Sequence, residues 1–595
     1  MNLRLSREHL RLPSARTVLL VSLLVLGAMW TAPFLLPYKA PPVPSFRAEA
    51  LAAALGLVAL VAVLPWAGRL PLPRIALLPL GFVPLLLVQM ALGQIAIYQQ
   101  ALLACLYLLW AAALMVLGAL LRRELGLERV AVPLAWFLFA GLVASSIVGL
   151  AQHVESYSFL AQYITIGSRR GVWGNLAQPN HLANYMSLGL ASLLFLFATG
   201  RLRIGYALAV GALSIYIVSL TGSRSAWLYC AALTGLAGTF FARERSHSNR
   251  RLLLASLLVL AALYLVPAAV QALLPTSGPA PVTSAQRLMR QAAASEERPR
   301  LFRAAWLMFA DAPVLGVGFR QFAVEYFYLN AVIPSRRGSP FTDHAHNLPL
   351  HVMAEFGAVG LIILLLGTVP WLLGLGRQPR SPAFWWTLAI TAVMAIHCML
   401  EYPLWYTYFL GVAAVALGLS EARTLELRAA NGRLRRLRVA LVSMLLLGSL
   451  VLGQLVRDYL VLENFLAFRY RYLHASEEVN RRATETLLEL RRNSLLASWV
   501  ELGLARTIHV SADRLADKLM VNTTAMRVFP IDDVVYRQAM LLALAGEQGA
   551  ARAHWDLAVG SYREHRQDAL LVLRRRVEDG VSELRPLLAH AENVK

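Results

Sequence analysis

Long apolar runs alternate with short polar turns along roughly the first 456 positions, and the alternation repeats about thirteen times. The runs lie near 17–37, 48–66, 75–93, 100–121, 130–151, 182–199, 204–221, 225–241, 252–271, 349–376, 382–400, 404–419 and 437–456. Most are roughly 17–25 residues long, the length an α-helix needs to cross the hydrocarbon core of a bilayer. The pattern predicts an all-α polytopic membrane protein with about 12–14 transmembrane helices. After 456 the long apolar runs stop, and the remaining roughly 140 residues are expected to form a soluble, mostly helical domain. Four segments follow: a transmembrane bundle at 1–271, a large loop at 272–348, further transmembrane helices at 349–456, and a soluble domain at 457–595.

Composition agrees with this pattern. The 595 residues are 58% hydrophobic and only 15% charged, against about 25% charged in a soluble domain. Cys105, Cys230 and Cys398 fall inside apolar runs and offer neither a disulfide framework nor a paired metal motif. The net charge of +22 raises the question of nucleic acid, but no compact basic module is visible, and none is expected as a partner. The arginines instead follow the turns. With the N-terminus in the cytoplasm, every cytoplasmic turn is basic: Arg69 and Arg74, Arg122 to Arg129, Arg201 and Arg203, Arg243 to Arg251, Arg377 and Arg380, and Arg423 to Arg438. The short turns after the third and eleventh spans hold almost no Lys or Arg, so the positive-inside bias fixes the orientation. Arg4, Arg7, Arg11 and Arg16 ahead of the first run, with no clean cleavage site, read as a retained anchor. The soluble domain is thereby expected outside, with the membrane lipids as neighbours of the bundle.

Three polar stretches interrupt the pattern on that outer side. The 152–181 loop contains "GNLAQPNHLANY", "TGSRSAW" holds Arg224 between two spans, and the large loop ends in "FTDHAHNLPLHVMAEFGAVG". A charge at a span end needs a reason. Arg224 is either a snorkelling side chain or a clamp whose guanidinium grips a phosphate through two parallel hydrogen bonds. Arg298, Arg300 and Arg303 precede the amphipathic stretch "LFRAAWLMFADAP"; two of the three are expected to be solvated and one to share a diphosphate with Arg224. His346 is followed by Asn347, a good helix cap, so it lies beside a helix N-terminus that disfavours the imidazolium. A neutral imidazole there suits a general base for a hydroxyl nucleophile. His344 and His346, with Asp343 nearby, form a possible metal pair, but no further ligands stand out, and neither metal nor other cofactor is expected. His351 and Glu355 are spaced to pair on one helix face. Gly357 and Gly360 form a small-residue step that admits a close neighbour. In "HCMLEYPLWYTYFL", Tyr402, Trp405, Tyr406 and Tyr408 look like an interfacial aromatic belt, whereas Glu401 needs a partner or a function.

These residues resemble the bacterial O-antigen ligase and polymerase superfamily of membrane glycosyltransferases. The signature is a His followed by Asn, Ser or Gln, nine residues, a Gly, and two residues to a small one. His346-Asn347, Gly357 and Gly360 match it in full, and the arginine of "TGSR" and one ahead of "DAPVLGVG" match in kind and order. "GNLAQPNHLANY" and "EYPLWYTYFL" look like the PglL-type, pilin-glycosylating branch, and the extra outer domain fits it. Within that domain, "YRQAMLLALAGEQGAARAHWDLAVGSYREH" resembles a tetratricopeptide hairpin, with Ala543, Ala545 and Gly546 at its turn.

The resemblance implies transfer of a preassembled oligosaccharide from undecaprenyl diphosphate on the periplasmic face of the inner membrane, without metal. The acceptor would be a Ser or Thr hydroxyl of a pilin-like or other periplasmic protein. His346 would activate that hydroxyl, and Arg224 with Arg298, Arg300 or Arg303 would hold the diphosphate, Arg298 being the best match by position. Gln178, Asn180, His344, Asn347, Glu401 and Tyr402 are expected around the pocket. The competing expectations are an O-antigen ligase acting on lipid A–core, a Wzy-type polymerase, and a transporter or receptor for a lipid-linked glycan. The last would show paired repeats with broken helices, and no such symmetry is visible.

Overall fold

The computed structural model describes residues 15–594 apart from 64–69, 156–157, 167–170, 274–282, 287–296, 331–332, 334–340, 428–432 and 472–476. Arg4, Arg7, Arg11, Arg69 and Arg428 of the predicted charge pattern lie outside the described residues. Among the described residues ten helices are long and apolar enough to cross a membrane, and three shorter apolar helices, Ile204–Leu220, Pro382–Cys398 and Thr407–Ser420, complete a set that follows the predicted runs. The chain is therefore an all-α, multi-pass membrane protein. A single antiparallel ribbon departs from pure helix, pairing Leu70–Leu72 with Leu425–Leu427.

In chain order the helices are α1 (Ala15–Met29), α2 (Ala32–Leu35), α3 (Phe46–Val63), α4 (Leu77–Ala91), α5 (Tyr98–Leu125) and α6 (Leu127–His153). They continue with α7 (Pro179–Ala198), α8 (Ile204–Leu220), α9 (Ser225–Arg243), α10 (His247–Leu273), α11 (Glu297–Asp311) and α12 (Phe322–Leu329). Then come α13 (Leu348–Leu375), α14 (Pro382–Cys398), α15 (Thr407–Ser420) and α16 (Arg433–Arg471). The last predicted span is the first part of α16, a continuous helix of 39 residues, so bundle and soluble domain share one rod across position 456.

α7 is the central post of the bundle, 94% buried over its apolar window. Its small residues make that possible. A Cβ on Gly189 would lie 2.6 Å from Leu142 Cβ of α6, so glycine there lets two helices approach closely. Ser187 and Ser192 return their hydroxyls to Ala183 and Leu188 carbonyls one turn back, so neither hydroxyl is orphaned. A helix that enters the centre this way carries its first residues, Asn180 and His181, to the heart of one end of the bundle.

The final residues form antiparallel helical hairpins: α17 (Glu477–Asn493), α18 (Ala497–Ala505), α19 (Leu515–Met526), α20 (Asp532–Leu544), α21 (Gln548–Ser561), α22 (Arg566–Glu578) and α23 (Arg585–Asn593). The α20–α21 pair closes on Gly546 at φ +83°, beside Ala543 and Ala545 as the sequence predicts. Trp555 is fully buried between Ala539, Ala543 and Ala558, its ring centroid 5.0 Å from Tyr536. Ile97, Phe327 and Phe341 from the bundle's loops join this core, which seats the domain at one end of the bundle.

Gly357 does more than admit a neighbouring helix. It breaks α13 with φ +61° and ψ −157°, a conformation essentially reserved for glycine. The exposed backbone pairs with the "PVLGVG" loop: Ala358 and Val359 amides donate to Pro313 and Val314 carbonyls, and Val317 and Gly318 amides donate to Ala354 and Glu355. A Cβ at 357 would meet Val314 O at 2.4 Å. Gly357→Ala is expected to cost about 2 kcal/mol or more, read as a lowered unfolding midpoint in detergent. Gly374→Ala, on the same helix with open space at its Cβ, is the control. Equal midpoints for the two variants would show that the break is not required.

Candidate catalytic site

The site lies where α7 begins, α14 ends and α13 begins. Asn347 caps α13, its Oδ1 accepting from the Leu350 amide, and Pro349 in the first turn suits the helix start. His346 precedes that cap in the left-handed region at φ +50°, uncommon for a non-glycine and turned back toward the bundle. Its Nδ1 lies 3.2 Å from the Leu400 carbonyl and 3.3 Å from Glu401 Oε2. Both are acceptors, so Nδ1 carries the proton and Nε2 is left as the basic nitrogen, with no partner among the described residues.

Glu401 is buried, and each of its oxygens is engaged: Oε2 by His346, Oε1 by Asn180 Nδ2 at 2.8 Å. Burial alone would push its pKa up, but the hydrogen bond and charge of His346, with His181 and His397 behind, hold it at about 2. The expectation of a suppressed imidazolium at His346 is overturned. Burial does lower that pKa, but the bond to Glu401 and its charge more than offset it, and the net shift is upward. The helix N-terminus is already satisfied by Asn347, whereas the carboxylate touches the ring.

Arg298 Nη2 donates to the same Leu400 carbonyl that His346 faces, at 3.4 Å, which places it in the site. Arg300 is committed elsewhere, to Asn330 Oδ1 and the Ile333 carbonyl, and Arg303 is exposed. Arg224 caps α9 at the site-bearing end of the bundle. Among the described residues its side chain makes no hydrogen bond or ion pair. Five residues further on, Tyr229 bonds His397 Nδ1 at 2.7 Å, and His397 is next to last in α14. His344 is buried between Asp343, 3.3 Å away, and the Tyr402 ring, 3.5 Å between centroids. Burial dominates over Asp343 there and lowers the His344 pKa to about 4.

Two expectations are corrected. Gln178 does not face the pocket; its Oε1 accepts from the His181 amide and caps α7. The tyrosines after Glu401 are not a lipid-facing belt. Tyr402, Tyr406 and Tyr408 stack on one another at 5.8 and 5.4 Å, with Tyr408 buried, because His181 and Phe34 offer ring partners on the inside. His351 and Glu355 do pair, 3.3 Å apart in the core. Sequence reasoning missed Arg320, whose Nη1 bonds Asp343 Oδ2 at 2.8 Å. Burial opposes the Asp343 charge, but Arg320 and His344 hold its carboxyl well below the usual range. The signal was its place in "GVGFRQ", the loop that docks on the Gly357 break.

His344, His346 and Glu401 each present one donor atom within 4.8 Å of the others, a set that His344 and His346 alone did not make visible in the sequence. The Glu401 oxygens are already held by His346 and Asn180, and the Nδ1 proton of His346 points at the carboxylate. The His346 ring is thereby held in one orientation, and it lines a pocket with His344, His351, Glu401, Tyr402 and Trp405.

Three family models match the chain: "Protein glycosylation ligase" over 172–197, "O-Antigen ligase" over 209–365, and "Virulence factor membrane-bound polymerase, C-terminal" over 385–575. The chain is also similar to a general O-oligosaccharyltransferase of Acinetobacter baylyi, 27% identical over 68% of this chain and 70% of that protein. A ComP-specific O-oligosaccharyltransferase of the same organism is 24% identical over 47% of this chain and 48% of its own length. The first match covers Asn180, the second Arg224, Arg298 and His346, and the third Glu401.

Proposed function

We propose that the chain is a member of the O-antigen ligase superfamily, in its PglL-type branch, and an O-oligosaccharyltransferase that moves a preassembled glycan from undecaprenyl diphosphate to a Ser or Thr hydroxyl of a protein. The observation that carries this reading is the free Nε2 of His346, whose Nδ1 is held by Glu401 and by the Leu400 carbonyl to which Arg298 also donates. Nε2 takes the proton of the acceptor hydroxyl as its oxygen attacks the anomeric carbon. The bond from that carbon to the diphosphate oxygen breaks, and undecaprenyl diphosphate leaves with the electron pair. Guanidinium groups stabilise the charge developing there; Arg298, anchored on the Leu400 carbonyl, and Arg224 supply them. Tyr402, His344 and Asn347 shape the pocket, and the transfer proceeds without metal. The arginine-rich turns at the opposite end of the bundle support a cytoplasmic N-terminus in the inner membrane, with the site and the C-terminal domain on the periplasmic side.

The test is transfer by the purified protein from a lipid-linked oligosaccharide, with a pilin-type protein and lipid A–core offered as acceptors and a chelator in a parallel arm. Glycosylated protein, formed equally with chelator, is the expected result. Sugar appearing only on lipid A–core, or only on a growing lipid-linked chain, makes the enzyme a ligase or a polymerase instead. Under the same conditions Arg298→Ala is expected to lower kcat/KM about 10²-fold or more, and Arg303→Ala to leave it within about twofold. The reverse order would reassign the diphosphate clamp.

A further inference from the structure

A second cavity, of about 400 Å³, opens beside the catalytic pocket and shares Leu348, His351, Leu404 and Trp405 with it. Its lining is mainly apolar, with Glu49, Gln100, Tyr107, Arg320, His351 and Ser498 as its polar members. Its lining on α5 runs from Gln100 to Met115, fifteen residues or about 22 Å of helix rise. α13 lines it from Leu348 to Leu364, and α15 from Leu410 to Leu417. Alanines 104, 111, 413 and 414 stand where larger side chains would fill it. A long, narrow, apolar shaft that starts at the reacting centre suits a flexible hydrocarbon chain better than a compact ligand. Part of its wall comes from the C-terminal domain: Leu495 and Leu496, from the turn between α17 and α18, and Trp499 of α18 close it together with Leu455 of the α16 span.

That wall is firmly held. Tyr459 of α16 stacks on Phe46 at 3.7 Å, and its hydroxyl donates to the Ala40 and Val43 carbonyls. One helical turn on, Glu463 accepts from Tyr38 at 2.6 Å and pairs with Arg47 at 3.0 Å. Leu496 packs in the same cluster as Phe46 and Tyr459, and the Trp499 ring lies tilted against Phe529 of the C-terminal domain, 4.7 Å between centroids.

We propose that this shaft holds the donor's polyprenyl chain, including isoprene units further from the diphosphate than a farnesyl chain reaches, and that the C-terminal domain completes the site by closing its outer wall. The domain beyond the last span then takes part in donor binding, whatever it does with the acceptor. The inference rests on the polyprenyl-diphosphate reading given above, and its test separates the two.

The measurement is equilibrium binding of undecaprenyl phosphate, and of farnesyl phosphate as a short-chain control, to the full-length protein in detergent. Wild type is compared with Trp499→Ala, which opens the wall, and Ala104→Phe, which fills the shaft. Both variants are expected to weaken undecaprenyl phosphate binding about tenfold or more and to change farnesyl phosphate binding much less. A matching rise in KM for the full-length donor, with the acceptor KM unchanged, is expected in transfer assays. Undecaprenyl phosphate binding that is unchanged in both variants overturns the proposal. So does an equal loss for the two lipids, or a change confined to the acceptor KM, which would give the shaft to the acceptor. Chain-length-dependent binding without any transfer would leave the shaft standing and remove the transferase reading.

Discussion

His346→Ala is expected to lower glycan transfer about 10²–10⁴-fold while leaving donor binding within a few-fold of wild type. The magnitude follows from what the side chain touches. Nδ1 is tied to Leu400 O and Glu401, so the ring presents Nε2 to the pocket in a fixed tautomer and direction. Removing it takes away the acceptor for the hydroxyl proton but leaves Arg298 against the Leu400 carbonyl and the apolar walls in place. The loss should therefore fall on kcat and not on the donor affinity. Structural damage is a weak alternative, because Asn347 caps α13 independently of His346. Measured kcat and donor affinity decide the matter. A variant that keeps more than about a tenth of wild-type kcat would deny His346 the role of base, and one that loses donor binding in proportion would make it a binding group.

The membrane-spanning helices were legible because apolar length is a local property: each run carries its own reason to cross a bilayer. The glycine break was half legible. Gly357 and Gly360 stood out by spacing, but the strand-like pairing of 354–359 with 313–318 depends on a loop that only the fold delivers. The site's chemistry divides in the same way. His346 and Asn347 were visible together because one caps the helix that the other precedes. The bond from His346 to Glu401 was not, since it exists only because α14 ends beside the start of α13. Among the three arginines, sequence position favoured Arg298, and packing supports that choice by giving Arg300 to Asn330 and Ile333 and leaving Arg303 in solvent. Arg320 was missed for the opposite reason: its place in "GVGFRQ" marks the loop and not the side chain, and its partner Asp343 is more than twenty residues away in sequence. The tyrosines after Glu401 were misplaced because aromatic residues at a span end satisfy two environments equally well, a lipid interface and an inward stack.

Glu401→Gln is expected to lower kcat by about 10²-fold or more and to move the acid limb of the rate profile to lower pH. The two effects share one cause with opposite signs. His346 acts as a base, so activity is present above its pKa and is lost as pH falls through it. The wild-type pKa is raised because the Glu401 carboxylate favours the imidazolium more than burial disfavours it. Glutamine keeps the size of the side chain and an oxygen for the Nδ1 proton, but removes the charge. Burial then dominates, the pKa falls, and the neutral base persists to more acidic pH. The same missing charge leaves the imidazolium that forms during transfer without a counter-ion, which is why the maximum rate drops while the profile widens. The single glutamine oxygen serves the Nδ1 proton, so Asn180, whose Nδ2 donates to Glu401 Oε1 at 2.8 Å in the wild type, must turn its amide over and accept from the glutamine N–H; an unfolding midpoint equal to wild type checks that the variant folds. Profiles of kcat/KM against pH for wild type and variant, on one donor and one acceptor, read both effects at once. An acid limb that stays in place, or moves upward, would mean that the carboxylate is not what sets the basicity of His346. A shifted limb with an undiminished maximum would confine Glu401 to tuning the ground state, with no part in holding the charge that develops on the ring.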